Sequence, residues 1–387
     1  MKLTFAKEQL VKAASITQSL VNVQSSLPVL ANVLIETEGE GAVFVATDLE
    51  SSVRCTVPAK VDAAGRTTVP ARTFAELVKE LPEGEASLEL EGDLVKIQAE
   101  ENSYHLQTMP PEDFPSWPQL SPHSTLVLGQ ADLGGMLGRI LFAIPQRDPR
   151  KVLLGALFDV RNGHLIVVAT DGKKLGYSRR ALVESAGARD ISAIIPHKIL
   201  FEVQRHLGDE GEVKIQISER QVAFDLGDVV YLSSKIDGTF PNYEMVIPKE
   251  INRQVRFDRD EFAAAIRRAS IISEEKNNSI ILRLAPERAR ITSRTYDVGD
   301  YEGRFPVNYE GDPFDIAFNH KYLTEVMRIM ADKAVVMRVK QTSSPVIFVN
   351  ESDEDSIYLI MPIKMSDLAD FGGEEPGEES PSEPDEE

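Results

Sequence analysis

The chain has 387 residues, 42% of them hydrophobic, and a formal net charge of −20, which indicates a globular protein of roughly two to four domains. So acidic a chain argues against a nucleic-acid partner, because phosphate contacts need Lys and Arg, and the distribution of the charges along the chain must decide the question. A single cysteine, Cys55, excludes an internal disulfide and a cysteine-based zinc or redox site; we expect it to be buried in a strand.

The N-terminal segment MKLTFAKEQLVKAASI carries Glu8 and Lys12 where a signal peptide would be apolar. No stretch of the chain approaches the ~18 consecutive apolar residues of a membrane span. We therefore expect a cytoplasmic protein.

A helical segment recurs three times along the chain. VPARTFAELVKEL begins at Val69, IPHKILFEVQRHL at Ile195 and FNHKYLTEVMRIM at Phe318, so the copies are 126 and 123 residues apart. Each copy has apolar residues at helical spacing. An earlier helix recurs with a similar period as FAKEQLVKAAS, LGQADLGGMLG and FDRDEFAAAIR.

A period near 125 residues is too long for a solenoid unit and has the size of a domain. Strand-like runs, such as the hairpin LIVVATDGKKLGYSRR, separate the helices. The sequence therefore predicts an α+β fold of three tandem similar domains, each with two helices and β-sheet. The predicted segments are domains at 1–120, 121–250 and 251–366 and an acidic tail at 367–387, whose composition is that of a disordered segment.

Basic residues recur at two positions opposite the apolar face of the repeated helix. They are Arg72 and Lys79 in the first copy, Lys198 and Arg205 in the second, and Lys321 and Arg328 in the third. A repeated basic stripe favours weak, sequence-independent contact with DNA phosphates. The acids Glu76, Glu202 and Glu325 recur on the same side, so simple pairing of acids and bases within each helix is an alternative.

The charges are segregated along the chain. The predicted helices (6–20, 71–81, 130–142, 196–207, 258–271 and 319–331) and the loop 143–151, which holds Arg147, Arg150 and Lys151, together carry a formal charge of +5. The rest of the chain must be strongly acidic, so DNA would be held in one region and repelled elsewhere. His197, beside Lys198, is either a surface histidine at a helix start or a further DNA contact.

Catalytic motifs are missing from the sequence. It has no phosphate-binding loop, no dinucleotide fingerprint, no H-E-x-x-H and no G-x-S-x-G. We therefore expect no enzymatic activity, no cofactor and no metal.

Several motifs, in order, resemble the bacterial DNA polymerase III β subunit, the β sliding clamp family. They are SSLPVLANVLIE, VPARTFAELVKELPEG, MPPEDFP, ATDGKKLGYS, FPNYEMVIP and IMPIKM, and the resemblance spans about residues 1–366. It implies a non-catalytic processivity factor that encircles double-stranded DNA and tethers the replicative polymerase. The resemblance also implies a head-to-tail homodimer that closes into a six-domain ring, with the helices lining the hole.

The resemblance also implies two protein-binding sites. A cleft between the second and third domains would bind peptides of the polymerase, the clamp loader and other clamp-binding-motif proteins. Its residues would be Leu153, Thr170, Gly172, Leu175, Pro241, Val246, Leu359, Met361, Pro362, Ile363 and Met365. The subunit interface would place Leu77, Tyr104 and Leu106 against Ile271 and Ile272. Lys173 and Gln24 depart from the family, which often has His and Arg at these positions.

Two other classes of function remain open from the residues alone. A tandem-domain interaction protein that never touches DNA would be monomeric and would not be retained on circular DNA. A hydrolase would need a substrate cleft around a carboxylate pair, and a sequence pair such as Asp353 and Asp355 is common in any acidic chain.

Overall fold

A computed structural model describes residues 1–21, 26–186, 191–273, 278–295 and 297–368. Gln24 and the acidic segment from Phe371 onward lie outside the described residues. Contacts divide the chain into two compact units: residues 1–171 with 176–241, and residues 172–175 with 242 onward. Three tandem domains are visible as one repeated order of elements, namely a strand, a helix, a group of strands, a second helix and three further strands.

The first domain contains helices α1 (Lys7–Gln18) and α2 (Ala71–Glu80). Its strands are β1 (Lys2–Ala6), β2 (Asn32–Glu38), β3 (Gly41–Thr47), β4 (Ser51–Pro58), β5 (Lys60–Ala63), β6 (Arg66–Pro70), β7 (Glu85–Glu91), β8 (Leu94–Ala99) and β9 (Asn102–Gln107).

The second domain repeats this order with helices α3 (Gln130–Ile140) and α4 (His197–His206). Its strands are β10 (Ser124–Gly129), β11 (Gly155–Arg161), β12 (His164–Thr170), β13 (Lys174–Ala181), β14 (Glu184–Ala186), β15 (Ile191–Pro196), β16 (Glu212–Ile217), β17 (Gln221–Asp225) and β18 (Val229–Ser234). The predicted Asp-Gly hairpin is confirmed as β12 and β13.

The third domain contains helices α5 (Arg259–Ser270) and α6 (His320–Ile329). Its strands are β19 (Arg253–Asp258), β20 (Ser279–Ala285), β21 (Arg288–Thr295), β22 (Gly299–Pro306), β23 (Phe314–Asn319), β24 (Ala334–Val339), β25 (Val346–Asn350) and β26 (Asp353–Ile360). Among the described residues, the group between its two helices has four strands where the first two domains have five.

The helices form because each has an apolar face to bury. In α2, Phe74, Ala75 and Val78 are buried while Arg72 and Lys79 are exposed, as the periodicity predicts. All six helices begin and end within two residues of their predicted bounds, and in each domain the two helices pack against each other. No helix among the described residues is both long enough and apolar enough to cross a bilayer.

One sheet runs through both domains of the first unit. Its strand order is β14-β10-β16-β17-β18-β4-β3-β2-β6, and antiparallel pairing of β18 with β4 sets Val229 opposite Cys55 and Ser233 opposite Ser51. Cys55 is fully buried in β4, as predicted. A single cluster of buried apolar side chains also extends through the two domains, so they share a core as well as a sheet.

Other strands pair with neighbours of their own domain. The first domain has the sheet β5-β1-β7-β8-β9, which ends at β9. In the second unit, β19, β24, β25 and β26 pair in that order, and a second sheet has the order β22-β21-β20-β23, ending at β22. Phe257 stacks on Phe262 with ring centroids 4.5 Å apart, and burial of each such ring stabilises the domain by roughly 1.5–3 kcal/mol.

Candidate functional site

The six recurrent bases all lie on exposed helix surface. Arg72 and Lys79 are on α2, Lys198 and Arg205 on α4, and Lys321 and Arg328 on α6, and each is exposed. Because these three helices occupy the same position in the element order, each domain presents two cations at equivalent sites. The sequence prediction of a repeated basic stripe on the helix surface is therefore consistent with the structure.

Three of the six bases have a carboxylate partner. Arg72 Nε donates to Glu76 Oε1 at 3.0 Å, Lys198 Nζ to Asp48 Oδ2 at 2.5 Å, and Arg205 lies 3.8 Å from Glu202 Oε1. Lys79, Lys321 and Arg328 have no carboxylate within 4.0 Å among the described residues. Only the Arg72–Glu76 pair is exposed on both sides. Such a pair contributes about 0–1 kcal/mol, so a DNA phosphate can displace that carboxylate at little cost.

The recurrent acids do not share one environment. The prediction that they all lie on the solvent side with the bases is wrong for Glu202, which is buried and whose Oε2 has no hydrogen-bond partner among the described residues. Glu325 pairs with Lys174, outside its own helix. Pairing within the helix therefore accounts for the acids of the first two copies and not for the third.

The loop of residues 143–151 combines free and constrained cations. Arg150 Nε and Nη2 donate to the two carboxylate oxygens of Asp148, both at 2.9 Å, and Nη2 also donates to the Asp171 carbonyl at 3.1 Å. These bonds lower the pKa of Asp148 to about 2. Arg147 and Lys151 are exposed and, within the described part of the chain, neither forms an ion pair.

His197 is the first residue of α4 and is half-buried, with its ring centroid 6.1 Å from that of Phe201. Burial lowers its pKa, so the ring is neutral at pH 7. His320, the first residue of α6, has its pKa lowered by burial and by the neighbouring Lys321. A neutral histidine at a helix start can contact a phosphate only as a hydrogen-bond donor.

The residues predicted to form the partner cleft fall in both units. In the first unit Leu153 is buried, Thr170 half-buried and Pro241 exposed. In the second unit Leu175 and Leu359 are buried, Pro362 and Ile363 half-buried, and Gly172, Val246, Met361 and Met365 exposed. Two of the exposed apolar members, Met361 and Met365, lie near the end of the described chain.

Three of the predicted cleft residues, Met361, Pro362 and Ile363, line a groove of about 430 Å³ in the second unit. The other lining residues are Lys173, Asn319, Tyr322, Lys364 and Asp367. The groove is held by backbone hydrogen bonds, in which Met361 N–H donates to the Lys173 carbonyl and Ile363 N–H to the Ala317 carbonyl, both at 2.8 Å. An apolar floor with lysines at its rim suits a short segment that carries a large apolar side chain and negative charge.

The predicted subunit-interface residues also divide between the units. Tyr104 and Leu106 lie on β9, the end strand of its sheet, and Leu77 is half-buried on α2. Ile271, directly after α5, is 77% exposed, and Ile272 is half-buried. The Ile271 side chain is therefore accessible to another surface in the single chain.

Sequence reasoning missed the carboxylate partner of Lys198. Asp48 Oδ1 accepts hydrogen bonds from the backbone N–H groups of Glu50 and Ser51. An Asp in a turn commonly makes such local bonds, so this part of its environment can be predicted from the sequence. Its second oxygen binds Lys198, 150 residues away along the chain, and no local pattern predicts that contact. No group of His, Cys, Asp and Glu among the described residues could hold a metal ion.

Comparison with known proteins covers almost the whole chain. Family models of the DNA polymerase III beta subunit match it in order: the N-terminal domain at residues 1–118, the central domain at 128–242 and the C-terminal domain at 244–364. The beta sliding clamp of Caulobacter vibrioides is 33% identical over 373 residues, covering 94% of this chain and 100% of the relative. That of Pseudomonas putida is 32% identical over 370 residues, with the same coverage.

Solved structures agree with the sequence relatives. A Pseudomonas aeruginosa sliding clamp bound to griselimycin has a TM-score of 0.90 at 30% identity, covering 94% of this chain and 99% of that one. The Caulobacter crescentus beta sliding clamp has a TM-score of 0.86 at 33% identity, with the same coverage. The chain therefore belongs to the DNA polymerase III beta subunit family, the beta sliding clamps, which are non-catalytic DNA clamps and not enzymes.

Proposed function

We propose that this chain works in the cytoplasm as the ring subunit that encircles duplex DNA and tethers the replicative polymerase to it. The observation that carries the proposal is the pair of exposed bases at equivalent positions of α2, α4 and α6, in a chain whose three domains all match the family. A site that recognises one particular DNA sequence would not need the same two charges in all three domains. Equivalent charges in each domain suit a surface that follows the phosphate backbone.

The ring would form from two copies joined head to tail. Leu77, Tyr104 and Leu106 of one copy would meet Ile271 and Ile272 of the other. The support is that β9 and β22 each end a sheet, so their outer backbone groups are available to a second copy, and that Ile271 is exposed in the single chain. A head-to-tail contact gives a closed ring only when its rotation completes the circle.

DNA would be held loosely inside such a ring. Three of the recurrent bases already have carboxylate partners, Arg150 is tied to Asp148, and the chain as a whole carries −20. Arg147, Lys151 and His197 would add further contacts. DNA phosphates must displace these carboxylates from the basic side chains, so DNA binding is weak and salt-dependent. Weak binding permits the ring to slide.

Partner proteins would bind through the groove of the second unit. Met361, which lines the groove, and Met365, four residues later in the chain, are exposed and provide adaptable apolar surface. One or two large anchors carry most of the energy of such contacts. The related clamp bound to griselimycin makes that compound a suitable probe of this chain. The clamp loader and other proteins with clamp-binding motifs would compete for the same surface.

The test is retention on DNA of different topology. The protein is loaded by a clamp loader on nicked circular duplex, separated by gel filtration, and then exposed to a nuclease that cuts the circle once. Co-elution with the circle and rapid loss after cutting are expected. An equal affinity for circular and linear DNA, or a monomeric mass without retention, would favour an interaction protein that does not encircle DNA.

A further inference from the structure

The first strand of each domain has an outer edge, and the three domains cover this edge differently. In the first domain β5 pairs with the outer edge of β1, and in the second domain β14 pairs with that of β10, both antiparallel. In the third domain, one antiparallel bridge between Arg256 and Asn308 is all that the described residues place on the outer edge of β19. The covering strand of the other two domains is therefore reduced to a single residue pair.

The strand registers locate the missing pair. Counted back from the helix that follows each strand, Arg256 is equivalent to Thr4 in β1 and Val127 in β10, and all three are paired on the outer edge. Two residues earlier, the other two domains are still paired, through Lys2–Ala63 and Thr125–Ala186. Gln254 is the equivalent residue of β19, and no strand of the described chain lies opposite it on that edge.

The backbone groups of Gln254 point away from the sheet. Arg259 N–H donates to the Lys333 carbonyl at 2.8 Å on the inner side, whereas Arg256 and Asn308 exchange two hydrogen bonds of 2.9 Å on the outer side. Because these directions alternate along an antiparallel strand, the Gln254 N–H and C=O also face outward. Gln254 is exposed, and neither group has a partner within the described part of the chain. The edge thus offers one free donor and one free acceptor.

The chain leaves this edge because it turns directly after Asn308. Tyr309 is buried, and its hydroxyl donates to the Asp312 carbonyl at 2.8 Å. Gly311 lies so close to the same ring that a Cβ there would be 2.6 Å from the hydroxyl oxygen. The tight turn leaves a cavity of about 750 Å³, whose lining includes Gln254 and the turn 309–312. This volume is in the range of ligand-binding clefts.

The uncommitted charges at this cavity are acidic. Arg256 Nη2 donates to Glu351 Oε2 at 2.6 Å, and the Arg253 guanidinium lies over an aromatic ring, 4.9 Å from its centroid. Glu310 and Asp312 line the cavity and are exposed, and neither forms an ion pair with any described residue. A segment that carries Lys or Arg would therefore complement the cavity.

We propose that the outer edge of β19 binds an extended, basic segment of a partner protein, which pairs antiparallel with Gln254 in the place that β5 and β14 take in the other two domains. Its Lys or Arg side chains contact Glu310 and Asp312. In such strand addition, main-chain hydrogen bonds supply affinity and side chains supply selectivity. The site shares no residue with the groove at Met361 or with the recurrent helix bases, so it adds a docking surface beyond the proposed function.

The first test uses the full chain and the capped peptide KVKVKVK as the probe. Saturating peptide should slow hydrogen exchange of the Gln254 N–H by about tenfold or more, since a bonded amide exchanges only when the contact opens. The Arg256 N–H, already bonded to Asn308, should change little. The same peptide with every backbone nitrogen methylated keeps its charge but cannot donate, and it should leave Gln254 unprotected. Equal protection by both peptides, or none with about 1 mM of the first, would overturn the proposal.

The second test removes the outward donor. Gln254→Pro deletes an N–H that β24 does not use, so the strand can keep its inner pairing. Calorimetry should show binding of KVKVKVK weakened about threefold to tenfold, the loss of one main-chain hydrogen bond, whereas Gln254→Ala should bind like the intact chain. Equal affinities of the two variants would exclude strand pairing. If Gln254→Pro also exposes the Val255 N–H to exchange, the strand itself is disturbed and the methylated peptide decides in its place.

The third test concerns the charges. Glu310→Gln with Asp312→Asn should weaken binding about threefold to tenfold at low salt, and the difference should vanish at about 0.5 M salt, where exposed charges are screened beyond a few Å. Asp209→Asn with Glu210→Gln makes the same charge change at two exposed acids of the second domain and should have no effect. An equal loss in both double variants would mean that the peptide follows total charge. Protection of Gln254 that rises with protein concentration alone would identify a second copy, not a partner, as the occupant.

Discussion

At the scale of single residues, the bases that would face DNA differ in how available they are. Arg72, Lys198 and Arg205 are paired with carboxylates, whereas Lys79, Lys321 and Arg328 are not, among the described residues. The helical period predicted where these bases lie, because it depends only on spacing within one helix. It could not predict the partner of Lys198, which comes from a turn of another domain.

Substitution by Ala of four of the recurrent bases should weaken retention on circular DNA without changing the fold. The four are Lys198, Arg205, Lys321 and Arg328. The slope of the logarithm of the DNA-binding constant against the logarithm of the salt concentration should become less steep by about 2–4, since each lost phosphate contact removes roughly 0.9. The matched control replaces four exposed strand bases, Lys60, Lys214, Arg283 and Arg288. An equal loss in both proteins would show that only total charge matters.

Asp48→Asn should strengthen DNA binding by about twofold to fivefold at low salt, since it removes a carboxylate that competes with DNA phosphate for Lys198. The substitution frees Lys198, while the amide oxygen can still accept from the N–H groups of Glu50 and Ser51. Fluorescence anisotropy with a short duplex measures the effect. In a Lys198→Ala background the gain should vanish, and a gain of the same size there would contradict the release of Lys198.

DNA binding should also rise as the pH falls from about 7.5 to 5.5. The folded pKa values of His197 and His320 are lowered from 6.5, so both rings are neutral above that pH and gain charge, and phosphate affinity, only below it. The same shifts mean that protonation favours the unfolded chain, so their effect on stability has the opposite sign. Anisotropy of the His197→Gln, His320→Gln double variant should be flat across this range; a retained rise would exclude both histidines as its cause.

At the scale of elements, the six helices and the domain repeat could be predicted because each helix carries its own apolar face. The α+β class followed from the strands between them. The pairing of β18 with β4 could not be predicted, because strand partners that are far apart in the chain leave no periodic signal in either strand. The same holds for the end strands β9 and β22, whose positions become evident only from the sheet order.

Ile271→Asp with Ile272→Asp should convert the dimer into monomers. A carboxylate buried in an interface without a partner destabilises it by several kcal/mol, which is enough to shift the equilibrium by a factor of about 100 or more. Sedimentation velocity measures the mass over a range of concentrations. Val183→Asp, a change at another exposed apolar residue, should remain dimeric, and a double variant that stayed dimeric would place the interface elsewhere.

At the scale of the whole molecule, the first two domains should unfold together, because they share a sheet and a core. Tyr231 is fully buried in β18, and its hydroxyl oxygen is 2.7 Å from His206 Nδ1. Tyr231→Ala should destabilise both domains by about 3–5 kcal/mol. Hydrogen exchange should show lost protection in β1 as well as in β16, whereas Phe348→Ala, an equally buried change in β25, should leave both strands protected.

The shared sheet has a consequence for synthesis on the ribosome. Ser51 and its partner Ser233 are 182 residues apart in the chain, so at roughly 5–20 residues per second β4 waits about 10–35 s for β18 to be translated. During that time the nascent first domain has an open strand edge that can pair with neighbouring nascent chains. The first domain released alone should therefore aggregate more readily than the first two domains together.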